Sequence, residues 1–190
     1  MNRFEFRIFR DSGEELDRRI AARFPLRQRD RRRDTYLLAG SGQTAFKLRD
    51  GDTLDLKVRE SLCGVLELWK PAGKIRLPAS RREILQAIPA AGPCLADLAG
   101  DATLDAGAVT AAFAARGFRA IALRKDRRQF EAPEGDGIEL VEITMESGTR
   151  PEVSIALEGP DPERLERLRM DLGLGGMRNC SYPARLLGHC

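Results

Sequence analysis

The chain has 190 residues, with 32 Lys and Arg against 29 Asp and Glu, so 32% of it is charged while the net charge is only +3. An ordinary globular domain carries about 25% charged residues, and the near balance of signs excludes a simple polybasic or acidic tail. Hydrophobic residues reach 42% and recur periodically, which excludes a disordered chain. The length points to a single domain over residues 1–190, of a size that buries a core without covalent staples.

Four cysteines, Cys63, Cys94, Cys180 and Cys190, show no CxxC pair and no metal-ligand spacing. They are expected as reduced thiols in a cytoplasmic protein. The N-terminus has no apolar leader core, and no apolar run approaches the ~20 residues of a membrane span, so no membrane partner is expected. The single histidine, His189, excludes a His-based triad and a multi-His zinc site. Gly73-Lys74 is no phosphate loop, because Leu68 holds the first-glycine position and Ile75 replaces the Ser/Thr. Gly173–Gly176 follows a helical pattern and is expected as a helix end and loop. Any catalysis must therefore rest on Lys, Arg, Asp and Glu.

Taken in chain order, residues 3–9 alternate strictly, with Arg3, Glu5 and Arg7 opposite Phe4, Phe6 and Ile8, which predicts a half-buried strand. Residues 12–24 predict a helix, with Ser12 as N-cap, Glu15 completing a capping box and Leu16, Ile20 and Phe24 at helical spacing. The run Arg27–Arg33 is expected as a solvated loop, with polyanion contact as its alternative. Strands are predicted at Thr44–Arg49, Thr53–Arg59 and Val65–Trp69, the first two joined by a hairpin at Asp50-Gly51.

The middle changes character. Helices are predicted at Ser80–Ile88, Ala96–Gly100 and Asp105–Arg116, with Pro89–Pro93 as a breaker, making a helical insertion at about residues 80–117. Strands resume at Phe118–Phe130, Ile138–Glu146 and Glu152–Glu158, and Asp161-Pro162 opens a last helix to Leu172.

A single charged strand face is ordinary, since an open antiparallel sheet shows water a polar side. Here the pattern repeats in strand after strand, with acids and bases interleaved on the same faces. Two architectures fit. Either the apolar faces pack under helices and the charged faces meet water, or the sheet closes so that the charged faces line an interior. A charged lumen needs compensation, which a polyanion with divalent cations would supply through Arg and Lys on phosphate oxygens and carboxylates on metal.

These features resemble the CYTH family, the triphosphate tunnel metalloenzymes, which includes class IV adenylate cyclases and thiamine triphosphatases. Phe4-Glu5-Phe6-Arg7 is similar to the family's opening Glu-x-Glu-x-Lys strand, and Asp34-Thr35-Tyr36 with Phe46-Lys47-Leu48-Arg49 to its Asp-x-Tyr segment and Leu-Arg-x-Arg strand. Leu56-Lys57, Lys125-Asp126-Arg127, and Ser154–Gly159 followed by a helix and Ser181-Tyr182 continue the resemblance. It implies an α+β fold, a closed or nearly closed antiparallel β-barrel (a tunnel) with flanking helices and the helical insertion.

By the same resemblance, Arg7, Lys47, Arg49, Lys57, Arg59, Lys125 and Arg127 would grip phosphates. Glu5, Glu67, Glu142 and Glu158, with Glu146 as a further candidate, would hold Mg2+ or Mn2+. The implied partner is a triphosphate-containing small molecule or polyphosphate rather than nucleic acid, and a homodimer is left open. Arg3 stands at the motif's first acidic position, and Ser154 and Ala156 at acidic positions of the last strand. Two functions therefore stay open: metal-dependent triphosphate hydrolysis, or a non-catalytic polyphosphate- or nucleotide-binding or regulatory module.

Overall fold

Alternation of charged and apolar residues becomes, in the computed structural model, a set of long strands whose two faces meet different surroundings. The structure describes residues 3–11, 14–40, 42–146, 148 and 151–190. The strands are β1 (Arg3–Arg10), β2 (Leu26–Leu38), β3 (Thr44–Arg49), β4 (Thr53–Cys63), β5 (Leu66–Arg76), the short pair β6 (Ala79–Ser80) and β7 (Thr103–Leu104), then β8 (Arg119–Glu131), β9 (Gly137–Met145) and β10 (Glu152–Gly159). The helices are α1 (Glu14–Arg23), α2 (Arg81–Ala87), α3 (Ala106–Ala114), α4 (Pro162–Asp171) and α5 (Tyr182–Leu187).

The long strands close into an antiparallel barrel in the order β1-β10-β9-β8-β2-β3-β4-β5. The ladder from Arg3↔Trp69 to Glu5↔Glu67 between β1 and β5 closes it and leaves the barrel without an edge. The predicted α+β barrel with flanking helices is thus the fold observed.

Of the two architectures considered from the sequence, the closed one is realised, with helices packed on the outer apolar faces of its wall. Outside the barrel, Phe6, Ile8, Leu140, Ile155 and Leu157 pack under Leu16 and Ile20 of α1 and Leu165 and Leu168 of α4. A second outer cluster joins Phe46, Leu48, Leu54 and Leu56 to Ile84 of α2 and Val109 and Phe113 of α3. Phe113 packs edge-on to Phe46 at 4.8 Å and to Phe118 at 5.0 Å, which anchors α3 to the wall. The charged faces predicted on β1, β3, β4 and β8 turn inward.

Local signals explain the element ends. Asp50 and Gly51 both take positive φ (47° and 76°), as a tight hairpin turn between β3 and β4 requires. Ser80 and Glu83 form the reciprocal capping box of α2, and Asp161 accepts from the Glu163 and Arg164 amides ahead of Pro162. Gly73 passes beneath the end of α2, where a Cβ would lie 2.2 Å from the Ala87 carbonyl oxygen. The predicted Ser12 cap lies outside the described residues.

Four expectations are corrected. Arg27–Arg33 is not a loop but the first half of β2, paired to β8 from Leu26↔Phe130 to Leu38↔Arg119. Its arginines stay extended because Arg29 and Arg31 share Asp126 across the ladder, at 3.1 and 2.9 Å. Pro89–Leu95 forms a 3-10 helix rather than a simple break, whereas Ala96–Gly100 forms turns and no helix. β5 continues past Trp69 to Arg76; Pro71 is tolerated because the β4–β5 ladder shifts register at Leu56/Lys57. Finally, Cys180 and Cys190 are joined in a disulfide with Cα atoms 5.8 Å apart, while Cys63 and Cys94 are free. The turn after α5 at Gly188 (φ 78°) brings the last residues back to Cys180. Among the described residues no helix is long and apolar enough to cross a membrane.

Candidate functional site: a charged lumen

The lumen has two compartments. At one end α5 enters the barrel, and Tyr182 packs with Tyr36, Leu38, Leu123, Val141 and Ile143 as an apolar plug. Tyr182 stacks on Tyr36 at 5.4 Å and meets Phe9 edge-on at 5.2 Å. Beyond it, between α5 and strands β8 and β9, lies a mainly apolar cavity of about 640 Å3. On the other side of Tyr182 is a smaller, polar cavity of about 180 Å3, and the charges of the sequence pattern converge on it.

Six of the seven predicted phosphate-gripping residues line this polar cavity: Arg7, Lys47, Arg49, Lys57, Lys125 and Arg127. Arg59 instead donates to Glu67 Oε1 at 2.6 Å, and Glu67 Oε2 accepts from Trp69 Nε1 at 3.0 Å. Of the predicted acids, Glu5 and Glu158 line the cavity as well. Glu142 does not: its side chain is 66% exposed on the outer face, beside Arg128. Glu146 pairs with Arg33, also on the outside.

Glu139 stands in the lumen where Glu142 was expected. On β9, Glu139 shares the inward face with Val141 and Ile143, so that face is apolar under the α5 plug and acidic beyond it. Alternation within β9 alone marks Glu139 as part of an apolar face. The pairing Gln129↔Glu139 is the signal that places it beside the Lys125/Arg127 face of β8. Arg32, inside the expected loop, and Asp34, noted from the sequence only as part of the Asp-x-Tyr segment, are inward residues of β2 that were not among the predicted site residues.

Nearly every inward cation has a carboxylate partner. Lys125 donates to Asp34 Oδ2 at 2.8 Å and to the Tyr36 hydroxyl at 3.0 Å. Arg32 approaches the same Asp34 oxygen at 3.3 Å. Arg49 and Lys47 share Asp55, at 2.5 and 3.7 Å. Arg127 bridges Asp30, at 2.6 Å, and Glu139 Oε2, at 2.8 Å. Lys57 faces the cavity and senses Glu5 and Glu158 only through longer-range attraction.

Burial and charge pull these groups in opposite directions. Burial would raise Asp34, but Lys125, Lys47 and Arg32 together bring it down to about 2. Glu139 is likewise lowered to about 2, because Arg7 and Arg127 outweigh its burial. Glu158 moves the other way: burial raises it, and Glu5 adds repulsion. Burial lowers Lys47 to about 8 and pushes Lys125 well below the usual lysine range despite Asp34.

Arg7 sits among the acids. Its Nε donates to Glu5 Oε1 at 2.9 Å, and its Nη1 to Ser154 Oγ at 2.7 Å and Glu139 Oε1 at 3.3 Å. Its Nη2 lies 3.8 Å from Glu158 Oε1, and the Tyr182 ring caps the guanidinium at 4.5 Å from its centroid. Among the described residues no three Asp, Glu, His or Cys side chains group to hold a metal ion. The acids that face one another are already turned onto a guanidinium, so they do not fit a resident divalent metal.

No family model matches the sequence, and no curated protein matches it. Solved structures do match in fold. A Hippeastrum protein, named for a proposed adenylyl cyclase activity and described as having a dominant triphosphatase activity, aligns with a TM-score of 0.55 at 17% identity, over 90% of this chain and 88% of its own. The PH1819 protein of Pyrococcus horikoshii aligns with a TM-score of 0.54 at 15% identity, over 98% and 99%. A proposed adenylate cyclase of Bacillus halodurans aligns with a TM-score of 0.55 at 12% identity, over 97% of each chain. At these identities the likeness is one of fold, and it spans nearly the whole chain.

Proposed function

We propose that this chain captures a triphosphate, or a comparable phosphate polyanion, in the polar compartment of its barrel. The observation that carries the reading is the convergence of Arg32, Lys47, Arg49, Lys57, Lys125 and Arg127 on one cavity. Its volume of about 180 Å3 is below the ~300–1,000 Å3 typical of drug-sized ligands, which suits a phosphate chain better than a whole nucleotide. Arg and Lys are the side chains that bind phosphate oxygens with charge-assisted hydrogen bonds. Ser181 Oγ, buried at the cavity wall without a hydrogen-bond partner among the described residues, adds a hydroxyl donor.

The inward carboxylates act as placeholders. Each orients a buried cation and favours its charged form, which offsets the cost of leaving a charge unpaired in the lumen. An arriving phosphate chain offers stronger acceptors to the same cations. Lys57, with no carboxylate in direct contact among the described residues, is the residue through which the ligand gains most.

A second reading, metal-dependent hydrolysis with Mg2+ or Mn2+, is favoured by the triphosphatase activity described for the Hippeastrum protein of similar fold. The acid set favours binding over hydrolysis. Titration calorimetry with inorganic triphosphate, pyrophosphate and phosphate tests capture, and the expected affinity order follows the number of charges. Equal or absent heats for all three would remove the reading. Phosphate release from inorganic triphosphate, ATP and thiamine triphosphate, with each metal, separates the two: the binding reading expects none.

A further inference from the structure

We propose that Arg7 occupies the position of a resident divalent cation in this tunnel, so that the polyanion is captured without Mg2+ or Mn2+. The inference deepens the reading of the lumen as a polyanion site and rests on it. Three carboxylates from three strands, Glu5 of β1, Glu139 of β9 and Glu158 of β10, converge on one guanidinium at 2.9, 3.3 and 3.8 Å. This is what a cation site looks like when the cation is covalently attached to the chain.

The alternatives for these oxygens are few. Glu139 has both oxygens engaged: Oε1 by Arg7, and Oε2 by Arg127 at 2.8 Å and Gln129 at 3.4 Å. Arg7 itself is held from the remaining sides by Ser154 and the Tyr182 ring. Mg2+ requires near-octahedral oxygens at about 2.0–2.1 Å, and a guanidinium at the focus excludes that geometry and repels a second cation. Arg keeps its charge at any ordinary pH, and its planar fork suits several carboxylates at once. Ser154 also acquires a role here: a carboxylate at that position would add a fourth acid, whereas the hydroxyl accepts a hydrogen bond from Arg7 Nη1 without adding charge.

The test uses the full chain. MnCl2 alone is titrated into the wild type, Glu139→Gln and Arg7→Ala, with Mn2+ followed by its paramagnetic resonance signal. The wild type is expected to show no saturable uptake, and Arg7→Ala to gain it because the carboxylates are released. Saturable uptake by the wild type that Glu139→Gln abolishes would overturn the proposal, and this arm needs no Arg7 variant to fold. Inorganic triphosphate is then titrated into the wild type in EDTA and in Mn2+. Saturable binding in EDTA supports the proposal, while binding that appears only with Mn2+ contradicts it. Absence of triphosphate binding under both conditions would instead sink the polyanion reading, leaving the Mn2+ titration to decide the role of Arg7.

Discussion

The two faces of β2 carry the same residue types and live in different worlds. Outward, Arg29, Arg31 and Arg33 meet Asp126 and Glu146 in water, and the Arg31 side chain is 81% exposed. Inward, Arg32 and Asp34 meet Lys125 and Lys47, and the Asp34 side chain is fully buried. The outer pairs are screened and replaceable; the inner ones cannot lose a partner without stranding a charge. Closure of the barrel, not the choice of amino acid, turns one face into a surface and the other into a site.

The sharpest way to break this comparison is to remove one carboxylate from each side. Asp34→Asn leaves Lys125 and Arg32 buried without their acid and should cost about 3–5 kcal/mol, read from urea denaturation. Equal, small losses for Asp34→Asn and Asp126→Asn would mean that the lumen is as wet as the surface.

Acid extends the same contrast. Asp34 is depressed from 3.8 to about 2 and Glu139 from 4.5 to about 2. Groups depressed in the folded state stabilise it above their unfolded values, and that contribution fades as pH falls through their folded ones. Urea midpoints should therefore drop between about pH 4.5 and 2, and Glu139→Gln should flatten the drop.

Alkali acts on binding instead. Burial holds Lys47 at about 8, so it loses its charge as pH rises through that value. Triphosphate affinity should fall severalfold across this range, and a flat profile would remove Lys47 from the ligand's surroundings. For folding the sign is opposite: a lysine depressed in the folded state is a burden while charged, and the burden lifts between about 8 and its unfolded 10.5. The smallest effect belongs to Arg31→Ala, whose exposed pair with Asp126 should contribute no more than about 1 kcal/mol.

How much of this the sequence discloses depends on whether a strand keeps one environment along each face. β3 does, and β1 does as far as Arg7, so alternation puts Glu5, Arg7, Lys47 and Arg49 on charged faces and the family resemblance supplies their roles. β9 does not. Its inward face passes from the α5 plug at Ile143 to the acids at Glu139, and its outward face from helix-covered Leu140 to exposed Glu142. Period-two reasoning inside that strand selects the wrong glutamate. β2 was hidden for another reason: seven polar residues in succession look like a loop until β8 supplies Asp126 outside and Lys125 and Arg127 inside. The Cys180–Cys190 bridge depends on a chain reversal at Gly188 that no spacing rule encodes.

The central claim, that the inward face and not the overall basicity recruits the phosphate chain, is tested most directly by removing one positive charge from each face. Inorganic triphosphate is titrated calorimetrically into the wild type, Lys57→Ala and Arg31→Ala at one ionic strength. Lys57→Ala should weaken binding about tenfold or more, the loss expected for a charge-assisted hydrogen bond, while Arg31→Ala should stay within about twofold. Equal losses in both variants, or none in Lys57→Ala, would contradict a lumenal site.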